Sequence, residues 1–354
     1  MVDTSDEWIV ERTGIRERRL VSPGEATSDL AIEAARRALA DAGVEARDVD
    51  LIIVATACPD MLFPSTACLV QRALGARQAA AFDLAAACTG FIYALAMAEG
   101  TIAVGRAETV LVIAAETLSR ITDYADRTTC ILFGDGAGAV VMRRARPADP
   151  TTGSPVGPAA DRAPAYPAGH SSGSTPPGLL SVFLAADGEG ADILSLPAGG
   201  SRRPASAETV ASGLHYIHMN GPEVFKFAVG AMVRAVRESL KASSLSLADI
   251  DLFVPHQANA RIVDAATRFL RVPPGKVFHT IEKYGNMSAA SIPISLDEAR
   301  RQGRLRPGDS VLLVAFGAGM TYGGAVLRWG QTASAAGEAP GAGIILSRLG
   351  KETQ

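Results

Sequence analysis

The chain repeats itself at a fixed interval of 201 residues. Asp48-Val49-Asp50-Leu51 matches Asp249-Ile250-Asp251-Leu252, and Thr109-Val110-Leu111-Val112-Ile113-Ala114 falls on Ser310-Val311-Leu312-Leu313-Val314-Ala315. At the same interval Arg36 meets Arg237 and Leu39 meets Leu240. One offset held across separate elements marks a duplicated structural unit. Each unit alternates short apolar runs with amphipathic stretches, the pattern of strands buried on both faces with helices packed on them. The sequence therefore predicts a duplicated α/β fold.

In the first half, strands are expected at Leu51–Val54, Ala81–Ala85 and Val110–Ala114, with a glycine-interrupted strand over Ile131–Met142. Helices are expected at Ser28–Ala42, Ser65–Leu74 with Ser65 as cap, and Thr89–Gly105. The second half predicts strands at Leu179–Ala185, Leu252–Pro255, Val311–Ala315 and Gly323–Trp329. Its helices are expected at Pro222–Ala242, Ala258–Leu270 and Ser288–Gln302. Strand Leu179–Ala185 opens the second half, and its counterpart would precede Met1. The first half thus reads as lacking its opening strand. The predicted organisation is a half at 1–144, a Pro/Gly/Ser-rich insertion or linker at 145–178, a half at 179–330, and a flexible tail at 331–354.

Of the 354 residues, 48% are hydrophobic and 20% charged, as in a folded globular chain. The net charge of −3 argues against a strongly basic nucleic-acid binder. No apolar run is long enough to span a membrane, and Met1–Leu20 lacks the apolar core of a secretory signal. Cys58, Cys68, Cys88 and Cys130 form neither a disulfide framework nor a C-x-x-C metal pattern. A cytoplasmic protein with no bound metal is expected.

Cys88 follows a strand and a turn of small residues, Ala85-Ala86-Ala87, and precedes an apolar helix. A sulfur at a helix N-terminus is favoured as thiolate, although a free cysteine is often simply buried. His256, in Val254-Pro255-His256-Gln257-Ala258-Asn259, likewise ends a buried strand, where ligands collect in α/β sheets. Asn286, in Tyr284-Gly285-Asn286-Met287-Ser288, could be a helix cap. The repeat sets Cys88 opposite Ala289, so a pseudo-twofold would bring Cys88 toward Asn286 with His256 beside them. Gly317-Ala318-Gly319 could be a plain turn, or could bring backbone N–H groups close to a reacting oxygen. Gly134-Asp135-Gly136-Ala137-Gly138 lies within a strand pattern, which fits close packing better than a dinucleotide loop.

Ala86-Ala87-Cys88, Val254 to Asn259, Gly285 to Ser291, and Leu132-Phe133-Gly134-Asp135-Gly136-Ala137-Gly138-Ala139 together resemble the beta-ketoacyl-[acyl-carrier-protein] synthase III family. So does the opening Asp3-Thr4-Ser5-Asp6-Glu7-Trp8-Ile9-Val10 with Arg12-Thr13-Gly14-Ile15-Arg16. The likeness covers residues 1 to about 144 and 179 to 329. It implies a thiolase-like fold of five layers, α/β/α/β/α, and a homodimer. The implied activity joins a short acyl-CoA, acetyl-CoA above others, to malonyl-[acyl-carrier-protein] without a cofactor. That reaction initiates fatty acid synthesis through an acyl-Cys88 intermediate.

The resemblance also implies roles for residues. Cys88, His256 and Asn286 would form the catalytic triad, with the backbone N–H groups of Cys88 and Ala318 as oxyanion hole. Trp8 and Arg127 would sandwich the CoA adenine. Thr4, Arg12, Gly221, Phe225, Ala258 and Asn259 would contact CoA or pantetheine. Phe316 would gate the cysteine, and Phe63 would close the acyl pocket across the dimer interface. Lys226, Arg261 and Arg268 would form the patch for the acidic carrier protein. Ala318 stands where some members have Gly, and Met287 where Thr is commoner. Synthase-III-like enzymes of secondary metabolism, with a different acyl acceptor, share the triad and are the alternative. A papain-like cysteine hydrolase and a non-catalytic carrier-binding module are more distant readings.

Overall fold

A computed structural model describes residues 2–144 and 177–330, together with the backbone of 345–349. The first half carries α1 (Asp6–Thr13), α2 (Thr27–Ala42), β1 (Leu51–Ala55), α3 (Thr66–Leu74), β2 (Ala80–Leu84), α4 (Gly90–Ala103), β3 (Thr109–Thr117) and β4 (Asp135–Arg143). The second half begins with β5 (Gly178–Ala186), β6 (Leu194–Ser195), α5 (Ala207–Ala211), β7 (His218–Met219) and α6 (Gly221–Ser243). It continues with β8 (Leu252–Pro255), α7 (Ala260–Leu270), α8 (Ile281–Tyr284), α9 (Ser291–Arg301), β9 (Ser310–Gly317) and β10 (Thr321–Arg328). A final strand, β11, spans Ile345–Leu349.

Among the described residues one sheet has the order β11-β4-β3-β1-β2 and another β5-β10-β9-β8. β1 runs parallel to β3, and β8 to β9. β4 and β10 then return antiparallel to β3 and β9. The strands alternate their side chains between two apolar layers. Leu51, Ile53 and Ala55 of β1 face a middle layer shared with α4 and α9, while Ile52 and Val54 face α2 and α3. In β9, Val311, Leu313 and Ala315 face the middle layer, and Leu312, Val314 and Phe316 face α6 and α7. The resulting order is helices, sheet, helices, sheet, helices, the five layers expected. Burial on both faces is why these strands read as unbroken apolar runs, each large side chain contributing about 1.5–3 kcal/mol.

Local chemistry moves some boundaries. Asn259 caps α7, its Oδ1 accepting from the Arg261 N–H at 2.9 Å, so that helix starts two residues later than the sequence predicts. Ser288–Gln302 splits into a 3-10 turn over Ser288–Ala290 followed by α9. The strand expected from Ile131 starts only at Asp135. A Cβ on Gly134 would lie 2.6 Å from the Tyr284 carbonyl oxygen, and one on Gly138 would lie 2.8 Å from Pro293 Cβ. These glycines serve close packing of β4 against its neighbours.

The first half has no strand ahead of β1 among the described residues, as expected, and the sheet edge this leaves is taken by β11, which pairs antiparallel with β4, from Ile345 opposite Val141 to Leu349 opposite Ala137. β5 pairs with β10 in the same antiparallel sense. The slot predicted to lie before Met1 is therefore filled by five residues of the segment read as a tail. An uncovered β4 would expose a row of free N–H and C=O groups, which favours this pairing. The expected insertion, apart from its last two residues, and the rest of 331–354 lie outside the described residues. No helix among the described residues is long and apolar enough to cross a membrane.

Candidate active site

Cys88 sits where the chain leaves β2 and enters α4. Ala87 takes a left-handed backbone, φ 45°, and Cys88 lies in the 3-10 turn Ala87–Thr89. The Thr89 hydroxyl donates to the Ala86 carbonyl at 2.6 Å and fixes the turn. Small residues are needed here, since a Cβ on Gly90 would stand 3.0 Å from Ala55 Cβ and 3.4 Å from Ala289 Cβ. Burial pushes the Cys88 thiol up to about 12; the Ser288 hydroxyl beside it opposes the rise and the Glu116 carboxylate adds to it. A helix N-terminus alone predicts the opposite direction. Desolvation outweighs it here.

His256 follows β8, and its N–H donates to the Val314 carbonyl at 2.7 Å. The ring is 1% exposed, and burial lowers its pKa to about 3, so the imidazole is neutral. Its Nδ1 lies 2.7 Å from Ser291 Oγ. That oxygen already accepts from the Gln257 N–H at 3.4 Å. Ser291 thus occupies Nδ1, and a Ser291 hydroxyl donating to it leaves the ring proton on Nε2. Nε2 is buried and has no hydrogen-bond partner among the described residues. Phe316 packs edge-on against the ring at 5.5 Å.

Asn286 is held from both sides of its backbone. Its N–H donates to the Leu132 carbonyl at 2.9 Å, and its carbonyl accepts from the Gly134 N–H at 3.0 Å. Its Oδ1 accepts from the Ser288 N–H at 2.9 Å. The side-chain NH2 is the group left for the pocket. Asn286 is not the cap read from the sequence, since Met287 holds the N-cap position of the next turn, and its Oδ1 contact with Ser288 leaves the amide nitrogen for the pocket.

Cys88, His256, Asn286, Phe316, Gly317 and Ala318 line one pocket with mostly apolar walls. A Cβ on Gly317 would lie 2.8 Å from the Cys88 nitrogen, so the end of β9 runs directly against the cysteine backbone. Gly221, Phe225, Ala258 and Asn259 line the same pocket. Thr4, Trp8, Arg12 and Arg127 stand outside its lining. Arg12 and Arg127 both lie on the Trp8 ring, with Cζ 4.6 and 4.9 Å from its centroid. A base entering between Trp8 and Arg127 has to displace that guanidinium. Asn259 Nδ2 donates to the Arg12 carbonyl at 3.2 Å, tying α1 to the lining.

Phe63 is outside the pocket of its own chain. It is 84% exposed beside Leu62 at 80%. Lys226 on α6, and Arg261 and Arg268 on α7, are exposed and have no ion-pair partner among the described residues. α6 and α7 pack side by side.

Sequence reasoning passed over Glu116, Ser288 and Ser291. Glu116 is fully buried at the end of β3, its Oε2 accepting from Ala57 N–H at 3.0 Å and Cys58 Sγ at 2.9 Å. The repeat carried a signal for two of them: Ser288 is the counterpart of Ala87, and Glu116 of Gly317.

Family models for 3-oxoacyl-[acyl-carrier-protein] synthase III match residues 82–155, and for its C-terminal part residues 240–329. The beta-ketoacyl-[acyl-carrier-protein] synthase III of Symbiobacterium thermophilum is 52% identical over 94% of this chain and 92% of its own length. The chain belongs to the beta-ketoacyl-[acyl-carrier-protein] synthase III family. This is an acyltransferase family, and the five-layer α/β arrangement is its thiolase fold. The solved synthase III of Thermus thermophilus is 44% identical, with a TM-score of 0.78 over 93% of this chain and 92% of that one. The priming beta-ketosynthase of the R1128 polyketide pathway has the same TM-score at 35% identity, covering 93% of this chain and 89% of that one.

Proposed function

We propose that this chain condenses a short acyl-CoA, acetyl-CoA above others, with malonyl-[acyl-carrier-protein]. The products are a 3-oxoacyl-[acyl-carrier-protein], CO2 and CoA, and the reaction primes fatty acid synthesis. The observation that carries this is the pairing of a neutral buried imidazole, its Nδ1 held by Ser291 and its Nε2 unpartnered among the described residues, with the Asn286 amide in the pocket that holds Cys88.

In this reading the Cys88 sulfur attacks the acyl-CoA thioester carbon. The backbone N–H groups of Cys88 and Ala318 hold the oxyanion, the C–S bond to CoA breaks, and CoA leaves. The malonyl thioester carbonyl then accepts from His256 Nε2 and Asn286 Nδ2. As its terminal C–C bond breaks, those donors hold the enolate oxygen and CO2 departs. The carbanion attacks the acyl carbon, the C–S bond to Cys88 breaks, and the released thiolate takes up one proton from solvent to restore the thiol. A neutral imidazole suits this role because it donates without protonating the carbanion. Each donor aimed at developing charge is worth about 10²–10³ in rate.

Other roles follow the same reading. Gly221, Phe225, Ala258 and Asn259 contact the pantetheine arm, and Phe316 gates the cysteine. Thr4, Trp8, Arg12 and Arg127 receive the nucleotide end of CoA, with Arg127 swinging off Trp8. Lys226, Arg261 and Arg268 meet the acidic carrier protein. The protein is cytoplasmic and works as a homodimer. Exposed Leu62 and Phe63 are the support for the dimer, since apolar side chains so fully exposed fit a covered interface. Phe63 of one protomer then closes the acyl pocket of the other. A monomer mass by sedimentation would overturn that assembly.

The structural likeness to the R1128 priming ketosynthase favours one second reading: a priming enzyme of secondary metabolism with another acceptor. Incubation with acetyl-CoA and malonyl-[acyl-carrier-protein], with the carrier product read by mass spectrometry, tests both. A 3-oxobutanoyl carrier absent from the Cys88→Ala reaction supports the first. Acylated Cys88 that discharges only to other acceptors supports the second.

A further inference from the structure

We propose that Glu116, acting through Ser288, takes up the Cys88 thiol proton during acylation and returns it to the departing sulfur. This rests on the acyl-Cys88 reading above.

The geometry behind the cysteine is unusual for a buried site. Glu116 is fully buried, and its two oxygens differ. Oε2 is saturated by the Ala57 N–H, the Thr56 hydroxyl at 3.3 Å and the Cys58 thiol. Oε1 is buried and has no hydrogen-bond partner among the described residues. Ser288 Oγ is also buried, with no hydrogen bond of regular geometry among the described residues, and Ser288 lines the pocket with Cys88. Two unpartnered polar atoms of this kind cost stability unless they serve something. The turn holding Ser288 packs against both β3, which carries Glu116, and the turn holding Cys88. The Ser288 hydroxyl opposes the burial-driven rise at both the Cys88 thiol and the Glu116 carboxyl.

Charge accounting selects the relay. The titratable groups facing this space are Cys58, Cys88, Glu116 and His256, and burial keeps His256 neutral. Burial also raises Glu116, making it a stronger proton acceptor. Losing the Cys88 proton to solvent would leave two negative charges in one apolar enclosure. Passing it inward leaves one. The thiol proton moves to Ser288 Oγ while the Ser288 proton moves to Glu116 Oε1. The thiolate forms its bond to the acyl carbon, and the C–S bond to CoA breaks. The proton then returns through Ser288 to the CoA sulfur. Glu116 and Ser288 are positioning residues here, since neither touches the acyl carbon.

The test compares native enzyme, Ser288→Ala and Glu116→Gln. Alanine suits position 288, because Ala87 adopts φ 45° where Ser288 adopts 46°. Cys88 acetylation by acetyl-CoA and alkylation by iodoacetamide are each timed by intact mass between about pH 6 and 9. In the native enzyme both rates are expected to stay nearly flat. In both variants they fall about 10–100-fold near neutral pH. They then climb about tenfold per pH unit, because the thiol now loses its proton to solvent. Single-turnover condensation from pre-acetylated enzyme should stay within about threefold of native. Native rates and flat profiles in both variants would overturn the relay, as would a tenfold-per-unit climb in the native enzyme. If acetyl-CoA labels no form, the acyl-Cys88 reading fails, and the alkylation profiles still decide the relay.

Discussion

Ala87 and Ser288 lie 201 residues apart and adopt the same left-handed backbone, φ 45° and 46°. Neither is glycine, so each conformation costs about 1 kcal/mol or more and is held by its surroundings. The flanking residues match as well: Ala86 and Met287 have ψ 29° and 30°, and Gly90 and Ser291 are both helical. One turn lifts the Cys88 sulfur toward the pocket. The other orients Asn286 and places the Ser288 hydroxyl beside that sulfur. The facing positions differ in the same way, with Gly317 against the Cys88 backbone and Glu116 at its counterpart in the other half. A symmetric scaffold thus carries different side chains on its two sides, the Cys88 thiol on one and the Asn286 amide and Ser288 hydroxyl on the other.

The donors should matter to one half-reaction only. Replacing His256 or Asn286 by Ala is expected to slow decarboxylative condensation about 10²–10³-fold. Cys88 should still take up acetyl from acetyl-CoA. Condensation rates beside mass labelling of the cysteine check this. Equal losses in both steps would mean that these residues act on the thiol instead.

Acid stability should carry the His256 signature. Its folded pKa, about 3, lies below the ordinary 6.5, so the unfolded chain binds the extra proton between those values. The stability it contributes is complete above about 6.5 and is lost as pH falls toward about 3, at up to about 1.4 kcal/mol per pH unit. Cys88, raised to about 12 from 9.0, behaves oppositely: its contribution is complete below 9.0 and is lost as pH rises through about 12. Urea unfolding across the acid range should therefore show a shallower pH dependence in His256→Gln than in the native chain.

Gly317→Ala should fold and lose acylation. The added methyl would sit 2.8 Å from the Cys88 nitrogen and 3.2 Å from its Cβ. The Gly317 backbone, φ −164°, is extended and open to alanine, so the damage is a local displacement of Cys88. A loss of about 10²-fold in cysteine acetylation is expected, the scale of a misplacement of about 1 Å. Unchanged acetylation would show that the turn absorbs the methyl.

Ending the chain at Gly330 should destabilise the first sheet. It removes the strand that pairs with Val141 through Ala137 and leaves that edge open. The melting temperature is expected to fall by at least ~5 °C, with soluble aggregates by light scattering. An unchanged melting temperature would mean that β4 does not depend on β11.

The duplication made most of the fold legible, because Leu51 to Val54 and Val311 to Ala315 are buried on both faces and carry no competing pattern. The meeting of Cys88, His256 and Asn286 in one pocket was legible for a related reason, since each follows a strand or turn that the repeat puts in register. What stayed hidden depended on partners distant in sequence. β11 is five residues after a Pro- and Gly-containing stretch, and its pairing partner lies some two hundred residues earlier. The rise of the Cys88 thiol is set by enclosure, which a helix-start pattern does not report. Glu116 reads as an ordinary strand-end carboxylate until Thr56, Ala57 and Cys58 are seen around it.

The central claim is that Cys88 carries the acyl group between two substrates. Intact-protein mass, measured after acetyl-CoA and again after malonyl-[acyl-carrier-protein], tests it most directly in the native chain and Cys88→Ala. A gain of about 42 Da is expected, the acetyl group in place of hydrogen. That gain should be absent without Cys88 and be lost when the malonyl carrier is added. An adduct that persists in Cys88→Ala, or one that malonyl carrier does not discharge, would contradict it.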